Sequence, residues 1–193
     1  LARLIHQNSN RSKKSFQIIN CANLDNDSFE KKLFGIEKNN SEIFKGALEE
    51  FDEGTILFDQ IEDLSLSAQG KMIGFLEGQK FSRHGGVQLI KTNVRIISST
   101  KSDLEKMIDN NLFREDLYFK LNVIPIIVPT ISQRKEDIPE LVTLFTQKFI
   151  KKNNFKEKVF SEDCILFFQS LKLSGNIRQL KNLVEWILII LSE

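Results

Sequence analysis

Cysteine, histidine and net charge are all in short supply in this chain of 193 residues, which has two cysteines, two histidines and a formal charge of +1. Cys21 and Cys164 are too few for a disulfide framework and stand in no metal-ligand spacing, so they read as core thiols of a protein in a reducing cytoplasm. His6 and His84 have no cysteine or carboxylate at ligand spacing, which gives no reason to expect a metal centre built on them. With 27 basic residues against 26 acidic ones, there is no global field to draw the chain to nucleic acid or a membrane. No apolar run approaches the ~20 residues that span a bilayer. The longest candidate, WILIILSE, reads as a buried helix terminus. Repeats, low-complexity tracts and long linkers are also absent from the sequence.

What is present is a strand-and-helix alternation that gives way to helices alone. LARLIH has the spacing of a helix already under way, with no capping residue before it. FQIINCA, GTILFD and NVRIISST are short, nearly continuous apolar runs, the pattern of strands buried on both faces. DNDSFEKKLFG, LSLSAQGKMIGFLEG and KSDLEKMIDNNLFREDLYFKL supply helices between them, KFSRHGGVQLIKTN reads as a hairpin, and NVIPIIVP reads as a fourth strand. After Pro129 the segments KEDIPELVTLFTQKFIKKN, SEDCILFFQSL and SGNIRQLKNLVEWILII are helical throughout. This order predicts an α/β layer with a parallel sheet over residues 1–130, followed by a helical subdomain over residues 131–193. The sixteen phenylalanines follow these periods and read as core, with Phe167 and Phe168 as a helix contact in the second part. The lysines of KFIKKNNFKEK read as a solvated helix end.

Three segments carry chemistry. Asp59 closes a buried strand, and an acid at the carboxyl end of such a strand can hold magnesium through its water shell. The next residue, Gln60, cannot take a proton from an attacking water, a loss worth roughly 10² to 10⁴ in rate where a general base is needed. LFREDLYFKL presents Arg114 and Lys120 on a short charged helix, and an arginine offered to a neighbour's γ-phosphate is worth roughly 10³ to 10⁵ in turnover. Arg178, one turn into a helix entered through Gly175, is placed to swing onto a phosphate when a helical cap closes. Taken singly, each has a plainer reading: a polar loop after a strand, a surface ion pair, a helix start.

Together and in this order, GTILFDQIEDLSLSAQGKMIGFLEGQKFSRHGG, VRIISSTKSDL, NLFREDLYFKLNVIPI, KEDIP and SGNIRQLKNLVE resemble the AAA+ central domain of NtrC-type bacterial enhancer-binding proteins, the ATPases that remodel RNA polymerase carrying sigma-54. GALEEFDEG, IISST, FREDLY and GNIRQL are most similar to the NtrX response regulators of that family. The resemblance covers essentially the whole chain. It implies an AAA+ P-loop NTPase-type parallel sheet with a C-terminal α-helical lid, and ATP and Mg²⁺ as cofactors. By position, Asp59 matches the Walker B acid that holds magnesium through water, and Gln60 stands where the catalytic glutamate belongs. Lys101 stands at the sensor I position, normally asparagine. Arg114 matches one arginine offered to the neighbouring subunit, while Lys120 replaces the second and loses the planar fork. Arg178 matches the sensor II arginine of the lid, although Leu173 and Ser174 replace the usual Trp-Pro before Gly175. Gly54 and Thr55, which open the Walker B strand, are grouped with Asp59 and Arg178 as cofactor-binding positions.

Two family features are absent from the sequence. No Gly-x-x-x-x-Gly-Lys phosphate loop occurs, and no other glycine-rich segment can cradle phosphates. In the family that loop lies just before the segment matching LARLIH, and the strand preceding it is central in the sheet, between VRIISS and VIPIIV. The expectation is therefore a piece of a longer protein. The second absence is the GAFTGA loop that touches the sigma factor: IEKNNSEIFK stands in its place, with Asn39 to Lys45 read as a polar turn, which argues against sigma-54 contact. The resemblance thus implies the central regulatory module of a two-component transcriptional regulator, with degraded hydrolysis. Self-association into a dimer or ring, a sensor histidine kinase and promoter DNA would be its partners, the last two through other domains. The competing expectations are an active ring ATPase whose phosphate loop lies upstream, and a gene fragment with no activity.

Overall fold

The computed structural model describes residues 1–23, 25–38 and 42–191, in two compact units, Leu1–Pro125 and Ile126–Glu193. In the first unit, helix α1 (Ala2–Gln7) leads into strand β1 (Phe16–Asn20). Helix α2 (Asn26–Phe34) follows, capped by Asp25, whose carboxylate accepts the Ser28 N–H at 2.7 Å. It ends at Gly35, with φ of +81°. A Cβ there would sit 2.4 Å from the Phe44 carbonyl oxygen, so the chain needs glycine both for the left-handed turn and for the close approach.

Strands β2 (Gly35–Lys38) and β3 (Glu42–Lys45) then pair antiparallel. The polar turn expected over Asn39 to Lys45 is thereby corrected in its second half, because Glu42–Lys45 gains a ladder against Gly35–Lys38. Residues 39–41 lie outside the described residues. Helix α3 (Ala47–Glu50), strand β4 (Thr55–Asp59), helix α4 (Leu66–Gly78) and the two-residue strands β5 (Lys80–Phe81) and β6 (Ile90–Lys91) come next. The unit closes with strand β7 (Arg95–Ser99) and helices α5 (Leu104–Asp109) and α6 (Glu115–Leu121).

The parallel sheet has the order β1-β4-β7, in continuous register from Phe16, Thr55 and Arg95 to Asn20, Asp59 and Ser99. Helices cross between the strands, so all three carboxyl ends open on one side. Ile19, Ile56 and Phe58 from the sheet pack with Phe29, Met72 and Leu117 from the helices in one buried core. NVIPIIVP is not a strand. Among the described residues nothing pairs with the outer edge of β7, and an apolar run without a hydrogen-bonding neighbour forms no ladder. Pro125 and Pro129 also lack the N–H it would need. Ile124 and Ile127 accordingly remain exposed.

The second unit consists of helices α7 (Ile138–Asn153), α8 (Glu162–Ser170) and α9 (Asn176–Ile190), preceded by two short 3₁₀ turns. Leu180, Val184 and Leu188 fall on one stripe of α9 and pack with Val142, Phe145 and Phe168. The end of α9 is buried on one face only: Leu188 is core and Ile187 packs against it, whereas Trp186, Ile190 and, just beyond the helix, Leu191 are exposed. Of the phenylalanine pair, Phe168 is core and Phe167 is exposed, on adjacent positions of α8 that point about 100° apart. Cys21 is buried as expected, whereas Cys164, in the first turn of α8, is exposed. No helix among the described residues is long and apolar enough to cross a membrane.

Candidate functional site

The register of the parallel sheet sets Asn20, Asp59 and Ser99 side by side at its carboxyl edge. Ser99 Oγ donates to Asp59 Oδ1 at 2.5 Å, a short charge-assisted bond that fixes the carboxylate. The chain leaves β4 through Gln60 in the left-handed region, with φ 59° and ψ 57°. That turn aims the Gln60 amide across the strand ends. Its Oε1 accepts from Asn20 Nδ2 at 3.4 Å, and its Nε2 donates to Asp63 Oδ2 at 3.1 Å. A glutamate at this position could accept from Asn20 but could not donate to Asp63, which would face it as a like charge. The local arrangement is therefore fitted to an amide.

The same edge is acidic. Burial, then the charges of Asp59, Asp63 and Glu62, push the Cys21 thiol up to about 12. Glu62 is buried, and its Oε1 accepts from the Lys101 N–H at 3.1 Å and from Ser102 Oγ at 3.4 Å. Lys101 thus reaches this edge through its backbone, which Glu62 ties to the turn after β4. Glu62 Oε2 is buried with no hydrogen-bond partner among the described residues.

Arg114 lies elsewhere in the first unit, at the start of α6. Its N–H donates to Gln69 Oε1 at 2.8 Å, and buried Gln69 in turn donates to the carbonyls of Leu64 and Leu112. The guanidinium forks onto Asp116, with Nε to Oδ1 at 3.0 Å and Nη2 to Oδ2 at 2.8 Å, on an exposed surface. Lys120, two turns on, is exposed 3.8 Å from Glu77. Gly54 and Thr55 are not brought to Asp59: Thr55 opens β4 at its opposite end, four residues or about 13 Å away along the strand, and Gly54 precedes it. Thr55 is fully buried, its hydroxyl 3.0 Å from His6 Nδ1.

In the second unit, Arg178 lines an open cavity of about 300 Å³ with Arg134, Pro129 and Asn176. Asn176, with φ of +56°, accepts the Ile131 N–H at 2.8 Å and so pins the start of α9. Asn20, Ser99 and Glu62 were not singled out from the sequence. The available signal was the polar residue that ends each of three apolar strands, but their adjacency depends on register.

Among the described residues, no group of three or more His, Cys, Asp or Glu side chains could hold a metal by itself. Asp59 nevertheless fits a magnesium ion held through water, because Ser99 occupies only one of its oxygens. The remaining ligands of such an ion would be water and phosphate.

The sequence profile of the sigma-54 interaction domain matches residues 1–127, and that of the AAA+ ATPase lid domain matches residues 132–193. The chain is 40% identical over 190 residues to the nitrogen assimilation regulatory protein NtrX of Azorhizobium caulinodans, covering 98% of this chain and 42% of that protein. It is 39% identical over 189 residues to the regulatory protein AtoC of Escherichia coli, covering 96% and 41%. The crystal structure of NtrX from Brucella abortus in complex with ATP superposes with a TM-score of 0.92 at 38% identity, covering 99% of this chain and 44% of that one. The corresponding ADP complex gives 0.91 at 39%, covering 98% and 43%. The chain spans less than half the length of these relatives.

Proposed function

Since the chain belongs to the sigma-54 interaction domain family and carries an AAA+ lid, we propose that it is the central AAA+ module of an NtrX-like two-component transcriptional regulator, responding to nucleotide or serving assembly with little ATP hydrolysis. The observation that carries this reading is the Gln60 amide bridging Asn20 and Asp63 at the edge where the family's catalytic carboxylate would stand. Asp59 keeps the carboxylate through which magnesium and its water shell would be held, and magnesium there would screen phosphate charge. Gln60 cannot take a proton from water, and Lys101 brings a positive charge where the family carries a neutral amide. The residues of this chain supply no phosphate cradle, so the nucleotide would depend on a segment outside this sequence. The nucleotide complexes of the Brucella abortus relative support ATP and ADP as ligands of the parent protein.

In this reading Gly54 and Thr55 hold the strand from its far end, and Arg178 serves the lid. Arg114 is the arginine offered to a second subunit in a dimer or ring, and Lys120 is a weakened second contact. The sensor kinase and promoter DNA belong to domains of the parent protein, and the absent GAFTGA sequence removes the sigma-54 contact. An active ring ATPase is the second reading, favoured by the retention of Asp59 and Arg114. Titration with Mg-ATP tests the binding half. The reading frame that encodes this chain, expressed whole, should bind saturably and the chain of 193 residues weakly or not at all. Micromolar binding by the chain alone, or none by the whole product, would overturn it.

A further inference from the structure

The second unit carries a half-open cavity of about 410 Å³ that shares no lining residue with the one at Arg178. One face of α7 forms its floor, with Val142, Thr146 and Ile150 spaced at helical intervals, and Ile165 of α8 closes one side. The connection between α7 and α8 arches over this face. Two aromatic contacts hold that arch: Phe155 lies 5.4 Å from Phe149 and Phe160 lies 5.3 Å from Phe168, centroid to centroid. Val142 and Thr146 are buried, and their neighbours Phe160 and Ile165 pack against the unit's core, so the floor is set by the fold.

The polar atoms of the floor are already satisfied. Thr146 Oγ1 donates to the Val142 carbonyl at 2.8 Å, and Thr143 Oγ1 donates to the Pro139 carbonyl at 3.0 Å. The interior therefore favours an apolar body over a chain of waters. The mouth differs. Gln147 and Lys151 line it one turn apart on α7, and among the described residues neither has a hydrogen-bond or ion-pair partner. Lys158, also at the mouth, is turned to the Leu191 carbonyl. Glu157 is the one acid lining the cavity, against Lys151 and Lys158, and Lys148 and Lys152 flank Lys151 on the last turns of α7. An apolar chamber with an amide donor and a positive rim is complementary to a molecule with an apolar body and an anionic end.

We propose that this cavity binds a small amphipathic carboxylate, with a body on the order of ten to fifteen non-hydrogen atoms inside and its carboxylate at Gln147 and Lys151. The volume suits such a molecule. The ligand would brace the α7–α8 connection against α7 and so stiffen the lid unit.

Sodium decanoate, kept below its micelle concentration, is the probe, with 1-decanol as its neutral counterpart. Methyl NMR spectra of the chain of 193 residues should show saturable decanoate-dependent shifts of Val142, Ile150, Val159 and Ile165. Thr143→Trp, which fills the groove from an exposed position, should abolish the shifts. Lys151→Glu, a surface change that leaves the floor intact, should weaken binding about fivefold, and decanol should bind more weakly by a similar factor. No saturable shift, equal binding of decanol, or full binding by Thr143→Trp would overturn the proposal. So would concentration-dependent shifts of the same methyls without ligand, which would place a second copy of the chain in the groove.

Discussion

Gln60 Nε2 donates to Asp63 Oδ2 at 3.1 Å, so the amide that follows Asp59 is hydrogen-bonded to a carboxylate three residues further on. Glutamate at position 60 would place two carboxylates at that distance. Gln60→Glu should cost about 0.5–1 kcal/mol of stability at neutral pH, since solvent screens much of the repulsion. Adding Asp63→Asn, which removes the facing charge, should remove the cost. Denaturant melts of the single and double variants measure this.

Arg83, just after β5, ties β2 to α3. Its Nε and Nη2 bind the two oxygens of Glu49 at 2.7 and 2.6 Å, and its Nη1 binds Glu37 at 3.1 Å, with all three side chains about nine-tenths buried. Arg83→Met leaves two buried carboxylates without a cation and should destabilise the first unit by about 3–5 kcal/mol. Glu37→Gln with Glu49→Gln in the same background should recover part of that loss. Calorimetry of the three proteins decides it.

The two cysteines should separate cleanly by reactivity. The Cys21 thiol, buried and pushed from 9.0 to about 12, carries roughly a thousandfold less thiolate at a given pH than an ordinary cysteine. Cys164 is exposed. Timed iodoacetamide labelling of the native protein, read by mass spectrometry, should modify Cys164 alone until the first unit is unfolded.

Asp25 and Asp103 cap α2 and α5. The Ser28 N–H holds the Asp25 carboxyl below its ordinary 3.8, and Lys106, through its side chain and then its N–H, does the same for Asp103. A depressed carboxyl contributes its stabilisation fully above the ordinary value and loses it as pH falls through the folded one. The amide resonances of Ser28 and Lys106 should therefore keep their positions down to about pH 4 and shift together with local fraying below it.

Much of the fold was legible because burial leaves a local mark. FQIINCA, GTILFD and NVRIISST became β1, β4 and β7, but the covering on both faces that their apolar runs suggested holds best for the central strand β4, while Ile18 of β1 and Arg95 of β7, on the edge strands, are exposed. NVIPIIVP carries the same mark and forms no strand, because composition records burial tendency and a ladder also needs a neighbour. The β2–β3 pairing was hidden for a related reason: Ile36 opposes Phe44 through a short hairpin whose anchor, Arg83, lies about forty residues on. At the site, Asp59 was legible as the acid that ends an apolar strand, whereas the roles read for it and for Gln60 came from the resemblance of five motifs in order. The adjacency of Asn20 and Ser99 to Asp59 depends on sheet register, and the burial of Thr55 against His6 depends on where α1 docks.

The central claim is that this edge no longer supports efficient hydrolysis. The most direct measurement is Mg-ATP turnover by the whole product of the reading frame that encodes this chain, at saturating nucleotide, alongside its Gln60→Glu variant. Turnover should lie near background. Gln60→Glu should raise it without restoring a rate typical of an ATPase, because Lys101, Lys120 and the Asp63 carboxylate remain. Robust turnover by the unmodified protein would contradict the account.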